Sequence, residues 1–210
     1  MRPLCRLRSS QPAPRVGGFT LINVLMVIVL LGVVAVALTS ASGRLASQSA
    51  EALKTRQMLA YAQGLLAEVT HMPFTYCDPN DSRAALATSA SVGGTGCTAQ
   101  VEVLGPEAGE SRYNAAARFD NVNDYAGFAM PGVGCAGGLC DQQGNLINAT
   151  GPLAGCTARV NMAAQAMTGM AANDGNGRPQ ALRVIVSVGC PGEDAVVAEG
   201  LRVRHAPHSF

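Results

Sequence analysis

Between Phe19 and Leu38 only Thr20, Asn23 and Gly32 interrupt an aliphatic run. Twenty helical residues rise about 30 Å, the thickness of a bilayer's hydrocarbon core, so the run predicts a membrane-spanning helix. Beyond Leu38 the chain turns amphipathic. Leu45, Ala52, Leu59 and Leu66 recur every seven residues, Ser49, Arg56 and Gln63 follow them at an offset of four, and Val69 closes the stripe. Leu53, Met58 and Leu65 widen the apolar face, while Arg44, Gln48, Glu51, Lys54 and Glu68 mark more polar ground. No proline follows until Pro73, which should stop the helix near His71. The expectation is one helix of about 53 residues from Phe19, about 80 Å long at 1.5 Å per residue. A membrane anchor followed by a separate helix is the alternative.

Residues 73–155 are rich in Gly, Ser, Asn and Pro, and Gln100–Leu104 is their clearest short strand. The last third is more regular. Strands are predicted from Cys156 to Met162, from Ala181 to Val188 and from Ala195 to Arg204, with turns at Asn173–Gly177 and Pro191–Asp194. The fold class is therefore α+β, a long N-terminal helix packed on a C-terminal antiparallel sheet. The organisation read from the chain is a basic leader over 1–18, a transmembrane helix over 19–38, its amphipathic continuation over 39–72 and a globular domain over 73–210.

Charge sharpens the topology. Arg2, Arg6, Arg8 and Arg15 precede Gly18, with no acidic residue among them, and the rest of the chain holds 11 basic and 14 acidic side chains. A basic N-terminal flank stays in the cytoplasm and exports the sequence beyond the apolar run. A secretory signal peptide is a rival, with Ala35–Ala37 or Ser40–Ser42 as cleavage sites, but the helical pattern continues past Leu38.

Apart from Cys5 in the leader, the cysteines are Cys77, Cys97, Cys135, Cys140, Cys156 and Cys190, an even number suited to disulfides outside the cytoplasm. If the strands after Cys156 and before Cys190 pair about the Asp174 turn, these two cysteines meet at the hairpin's open end. Cys135 with Cys140 would staple a Gly-rich loop, leaving Cys77 with Cys97. Zinc is disfavoured, because no second close pair joins Cys135 and Cys140.

Catalytic chemistry finds little footing. The histidines are His71, at the helix end, and His205 and His208, in the tail. No Ser-His-Asp order, phosphate loop or nucleophile elbow is visible, so no enzyme activity and no cofactor are expected. No basic patch interleaved with aromatics suggests nucleic acid. Asn148-Ala149-Thr150 matches a glycosylation acceptor, a short pattern of little weight. Asp120, Asn121, Asn123 and Asp124 place several oxygens within five residues and could bind calcium. Such residues also cap turns, with Tyr125 and Phe128 as anchors, and a structural turn without metal is the expectation.

Gly17-Gly18-Phe19-Thr20-Leu21-Ile22-Asn23 resembles the processing site of type IV prepilins, where a dedicated peptidase cuts after the glycine and the new Phe amine is methylated. Phe119-Asp120-Asn121-Val122-Asn123-Asp124-Tyr125-Ala126-Gly127-Phe128 is similar to the FDxVDDYxG-type segment of MshD-like minor pilins, associated with mannose-sensitive haemagglutinin pili. The C-terminal strands from Leu182 and Leu201 resemble the end of that family's domain. The resemblance implies a type IV pilin-like fold. It also implies processing at Gly18 and Phe19, and assembly through Thr20, Leu21, Ile22, Asn23 and Gly32. Its partners would be other pilin subunits, the prepilin peptidase, an assembly platform and the inner membrane before export into a pilus. A type II secretion pseudopilin and a membrane-anchored binding domain that never polymerises are the competing readings.

Two residues qualify the resemblance. Asn23 stands where most of the family carries a glutamate that meets a neighbour's N-terminal amine. At 4 Å such a pair is worth about 1 kcal/mol in water and about 4 kcal/mol at an effective dielectric of 20. Asn23 offers a hydrogen bond without the countercharge, so it marks either a specialised tip or priming subunit or a tolerated substitution. Gly32 is either a point of helix weakness used on assembly or an ordinary small residue in a membrane helix. Asn123 also departs from the segment's usual aspartate.

Overall fold

In a computed structural model of the protein the described residues are 20–147 and 150–204, with backbone alone for 42–47. Gly18, Phe19, Cys5, Asn148, His205 and His208 lie outside them, as do the side chains of Arg44 and Leu45. The architecture is α+β: α1 (Leu21–His71), a short 3-10 helix (Val122–Tyr125), then β1 (Ala129–Met130), β2 (Thr157–Ala164), β3 (Ala181–Gly189) and β4 (Val196–Val203). The chain forms two compact units, Met1–Ser49 and Ala50–Phe210.

The first unit holds the apolar part of α1. Every residue from Thr20 to Ala41 is exposed. Leu21–Ala41 has a mean hydropathy of 3.0 and is long enough to cross a membrane. Its few hydroxyls turn back onto the helix: Thr39 donates to the Ala35 and Val36 carbonyls and Ser40 to Ala37. Such bonds hide polar atoms from an apolar surrounding.

In the second unit the four strands form one antiparallel sheet in the order β1-β2-β3-β4. Period-two alternation decides its faces. Ala158 and Val160 of β2, Leu182, Val184, Val186 and Val188 of β3 and Ala198 of β4 are buried, while Arg159, Arg183 and Glu199 face outward. The register stacks Val160, Val186 and Ala198 in one row. The Asp174 turn forms as expected, its Oδ1 accepting from the Asn176 and Arg178 amides.

The helix ends at His71 as Pro73 requires, but its buried stripe is not the seven-residue series. Met58, Ala62, Leu65 and Val69 are buried, whereas Leu59 and Leu53 are exposed and Leu66 is half-buried. Adjacent helical residues differ by about 100°, so the shift from Leu59 and Leu66 to Met58 and Leu65 turns the contact face by about a quarter of the circumference. Ala62, a poor hydrophobic signal, lies fully buried in that stripe between Met58 and Leu65. β4 approaches at Gly200, where a Cβ would lie 3.1 Å from Leu66 Cδ1 and 3.4 Å from Thr70 Cγ2.

Gln100–Leu104 does not form a strand. It makes a single bridge, Val101 to Cys77, extended by a bond from the Glu102 amide to the Tyr76 carbonyl. At its start the Asp81 carboxylate accepts from the Gln100 amide, as it does from those of Thr98, Ala99 and Arg83. Those amides are bent onto a side chain and are lost to any ladder.

Candidate functional site

The 119–128 segment links the helix exit to the sheet. Asn121 caps the 3-10 helix, accepting from the Asn123 amide, and Asp124 Oδ2 reaches back to the amides of Asp120 (2.9 Å) and Asn121 (2.8 Å). This reciprocal cap explains why acceptor side chains flank Val122. Asn121 Nδ2 donates to Thr75 Oγ1 at 2.8 Å and the Val122 amide to the Pro73 carbonyl, so the cap also holds the chain leaving α1. On the other side Gly127 N and Phe128 O bond to Val160 of β2. Phe119, Tyr125 and Phe128 pack edge to face, with centroids 4.9–5.9 Å apart. The segment is a capped turn, with the Asn121 side chain buried as its cap and Asn123 contributing its backbone amide.

Sequence reasoning missed the centre of the domain. Arg112, 4% exposed, spans Glu68 with Nε to Oε1 and Nη2 to Oε2, both 2.7 Å. Its Nη1 donates to the Cys140 and Asp141 carbonyls and to Tyr113 Oη. Tyr125 donates to Glu68 Oε1 at 2.7 Å, and Tyr61 donates to the Cys140 carbonyl at 2.8 Å. Burial works against ionisation of Glu68, but the Arg112 and Tyr125 hydrogen bonds outweigh it and lower its pKa. Burial likewise disfavours charge on Arg112, and Glu68 more than compensates, so its pKa is raised. The usable sequence signal was position: Glu68 lies one residue before buried Val69, at the edge of the stripe, not on polar ground.

The three disulfides are Cys77–Cys97, Cys135–Cys140 and Cys156–Cys190. The register explains the last. Thr157 pairs with Gly189, which sets Cys156 opposite Cys190 just beyond the strands. Cys135–Cys140 closes the loop whose Cys140 carbonyl receives Arg112 and Tyr61.

Thr20, Leu21, Ile22, Asn23 and Gly32 lie in the exposed apolar part of the chain. The Asn23 amide donates to the Thr20 carbonyl at 2.9 Å as the helix begins. Gly32 is helical, and apart from its chain neighbours and the adjoining helix backbone no atom among the described residues lies within 4 Å of where its Cβ would sit, so packing does not require glycine there. No family model matches the chain, and neither a curated protein nor a solved structure matches it.

Proposed function

We propose that the protein is a type IV prepilin of the MshD-like minor pilin kind, a structural subunit with no reaction of its own. The observation that carries the reading is the fully exposed Leu21–Ala41 helix, apolar on every side, directly after the Gly18-Phe19 junction. An exposed helix of this kind suits lipid first and neighbouring subunit helices afterwards. A helix packed on an antiparallel sheet and stapled by three disulfides suits the exported half of such a subunit. In this reading the peptidase removes 1–18 at the cytoplasmic membrane face, Phe19 is N-methylated and the subunit leaves the inner membrane for a pilus.

Mass spectrometry of the mature N-terminus tests it. An N-methyl-Phe19 terminus is expected. A retained leader, or cleavage near Ala37, would instead mark an anchored or secreted domain that does not polymerise. A pseudopilin shares the terminus and is separated by its assembly: the pilin reading expects the protein in sheared pili and loses to detection only with a secretion apparatus.

A further inference from the structure

Five carboxylates converge where the segments around Cys77, Glu102, Glu107 and the 3-10 helix meet. One carboxylate oxygen from each of Glu102, Glu107 and Asp124 lies within 4.8 Å of the other two, and Asp78, Glu107 and Glu110 form a second such group. Hydrogen bonding separates the two. Asp78 Oδ1 accepts from the Asn80 amide and Glu110 Oε2 from the Glu107 amide. In the first group, both oxygens of Glu102, Oε1 of Glu107 and Oδ1 of Asp124 are buried with no hydrogen-bond partner. Glu102 is 2% exposed and Asp124 1%. The neighbouring Asn123 Oδ1 is also buried and without a partner.

Unpaired buried carboxylates are costly, and three together more so. Among the described residues no Lys or Arg forms an ion pair with any of them; the ion pairs present are Lys54–Glu193, Arg112–Glu68 and Arg183–Glu199. Arg204 is committed to the Pro179 and Thr75 carbonyls and lies over the Phe74 and Tyr76 rings.

We propose that Glu102, Glu107 and Asp124 form a calcium site that clamps the Glu102 segment and the 105–110 loop to the 3-10 helix. Oxygens bound at about 2.4 Å to one ion lie at most about 4.8 Å apart, and calcium accepts irregular, carboxylate-rich oxygen sets that magnesium, with its strict octahedron and retained waters, does not. Asp124 plays both parts, with Oδ2 closing the cap and Oδ1 turned to the ion. Asp120, the other acidic residue of its segment, is outside the triad and accepts from Asn80 Nδ2. Three disulfides suit the domain to an oxidising compartment, where modules bind calcium with dissociation constants of about 0.1–1 mM.

The test uses the full-length protein in detergent, stripped with chelator and titrated with calcium chloride by calorimetry and thermal unfolding. One binding event is expected, with an unfolding midpoint that climbs with the logarithm of calcium concentration. Glu102→Gln, which keeps the shape of the side chain and removes its ability to carry charge, should lose the calcium response. Glu107→Gln, at a half-buried position that tolerates the change, should weaken binding about tenfold or more. Glu199→Gln on the outer sheet face should leave it unchanged. A midpoint indifferent to calcium up to about 10 mM overturns the proposal. So does an equal response to magnesium, or an undiminished response in Glu107→Gln.

Discussion

Arg112 holds both carboxylate oxygens of Glu68 at 2.7 Å, and through its remaining donor group it holds the carbonyls of Cys140, which ends the Cys135–Cys140 loop, and of Asp141 beside it. The helix, the disulfide loop and, through Tyr125, the 119–128 turn therefore depend on one buried ion pair. A buried pair costs desolvation and returns it only with good geometry and full hydrogen bonding, both of which are present.

Removing one partner should be severe. Arg112→Ala leaves a carboxylate 10% exposed without its countercharge, and the expected loss is about 3–5 kcal/mol. The double variant Glu68→Met, Arg112→Met should recover part of that loss. Denaturant unfolding followed by circular dichroism measures both, and a double variant weaker than Arg112→Ala would contradict this account.

Acid should unlock the same contact. The Glu68 pKa is lowered in the folded state from the ordinary 4.5, so between its folded-state pKa and about pH 4.5 the folded form binds fewer protons than the unfolded form. Its contribution is fully present above about pH 4.5 and is lost as pH falls through the folded-state pKa. Glu68→Gln should be less stable at pH 7 and should flatten the acid limb of stability against pH. Parallel limbs in the two proteins would refute the assignment.

The disulfides should rank by loop size. Replacing Cys156 and Cys190 by Ala opens a separation of 34 residues, at a cost of about 4 kcal/mol in the chain-entropy account. Replacing Cys135 and Cys140 opens a separation of 5, at about 2 kcal/mol. Reversal of that order in denaturant midpoints would show that native packing around the short bridge dominates.

Gly200 should accept one added carbon and resist three. A Cβ would meet the end of the Leu66 side chain at 3.1 Å, which can shift, so Gly200→Ala should change stability little. Gly200→Val drives branches between β4 and α1 and should cost about 1–3 kcal/mol. Thermal midpoints of the two variants decide it.

Local features of this chain were legible because their causes are local. Pro73 forbids continuation of a helix, and α1 stops at His71. Alternating Val and polar residues from Ala181 declare a strand, and once β2 and β3 pair, Cys156 and Cys190 have no other register. The apolar run declared itself by length alone. Contacts made across distance were not legible. Gln100–Leu104 carries strand residues, yet its neighbouring amides go to Asp81. The helix face turned away from Leu59 towards Ala62 because complementarity to the sheet and loops, not side-chain hydrophobicity, chose it. Glu68 reads as a surface charge until Arg112, 44 positions away, arrives beside it. Glu102 reads as the polar step of a strand until Glu107 and Asp124 close around it. Periodicity and covalent geometry act over a few residues and are written in the chain, whereas the pairing of buried charges depends on which distant segments packing brings together.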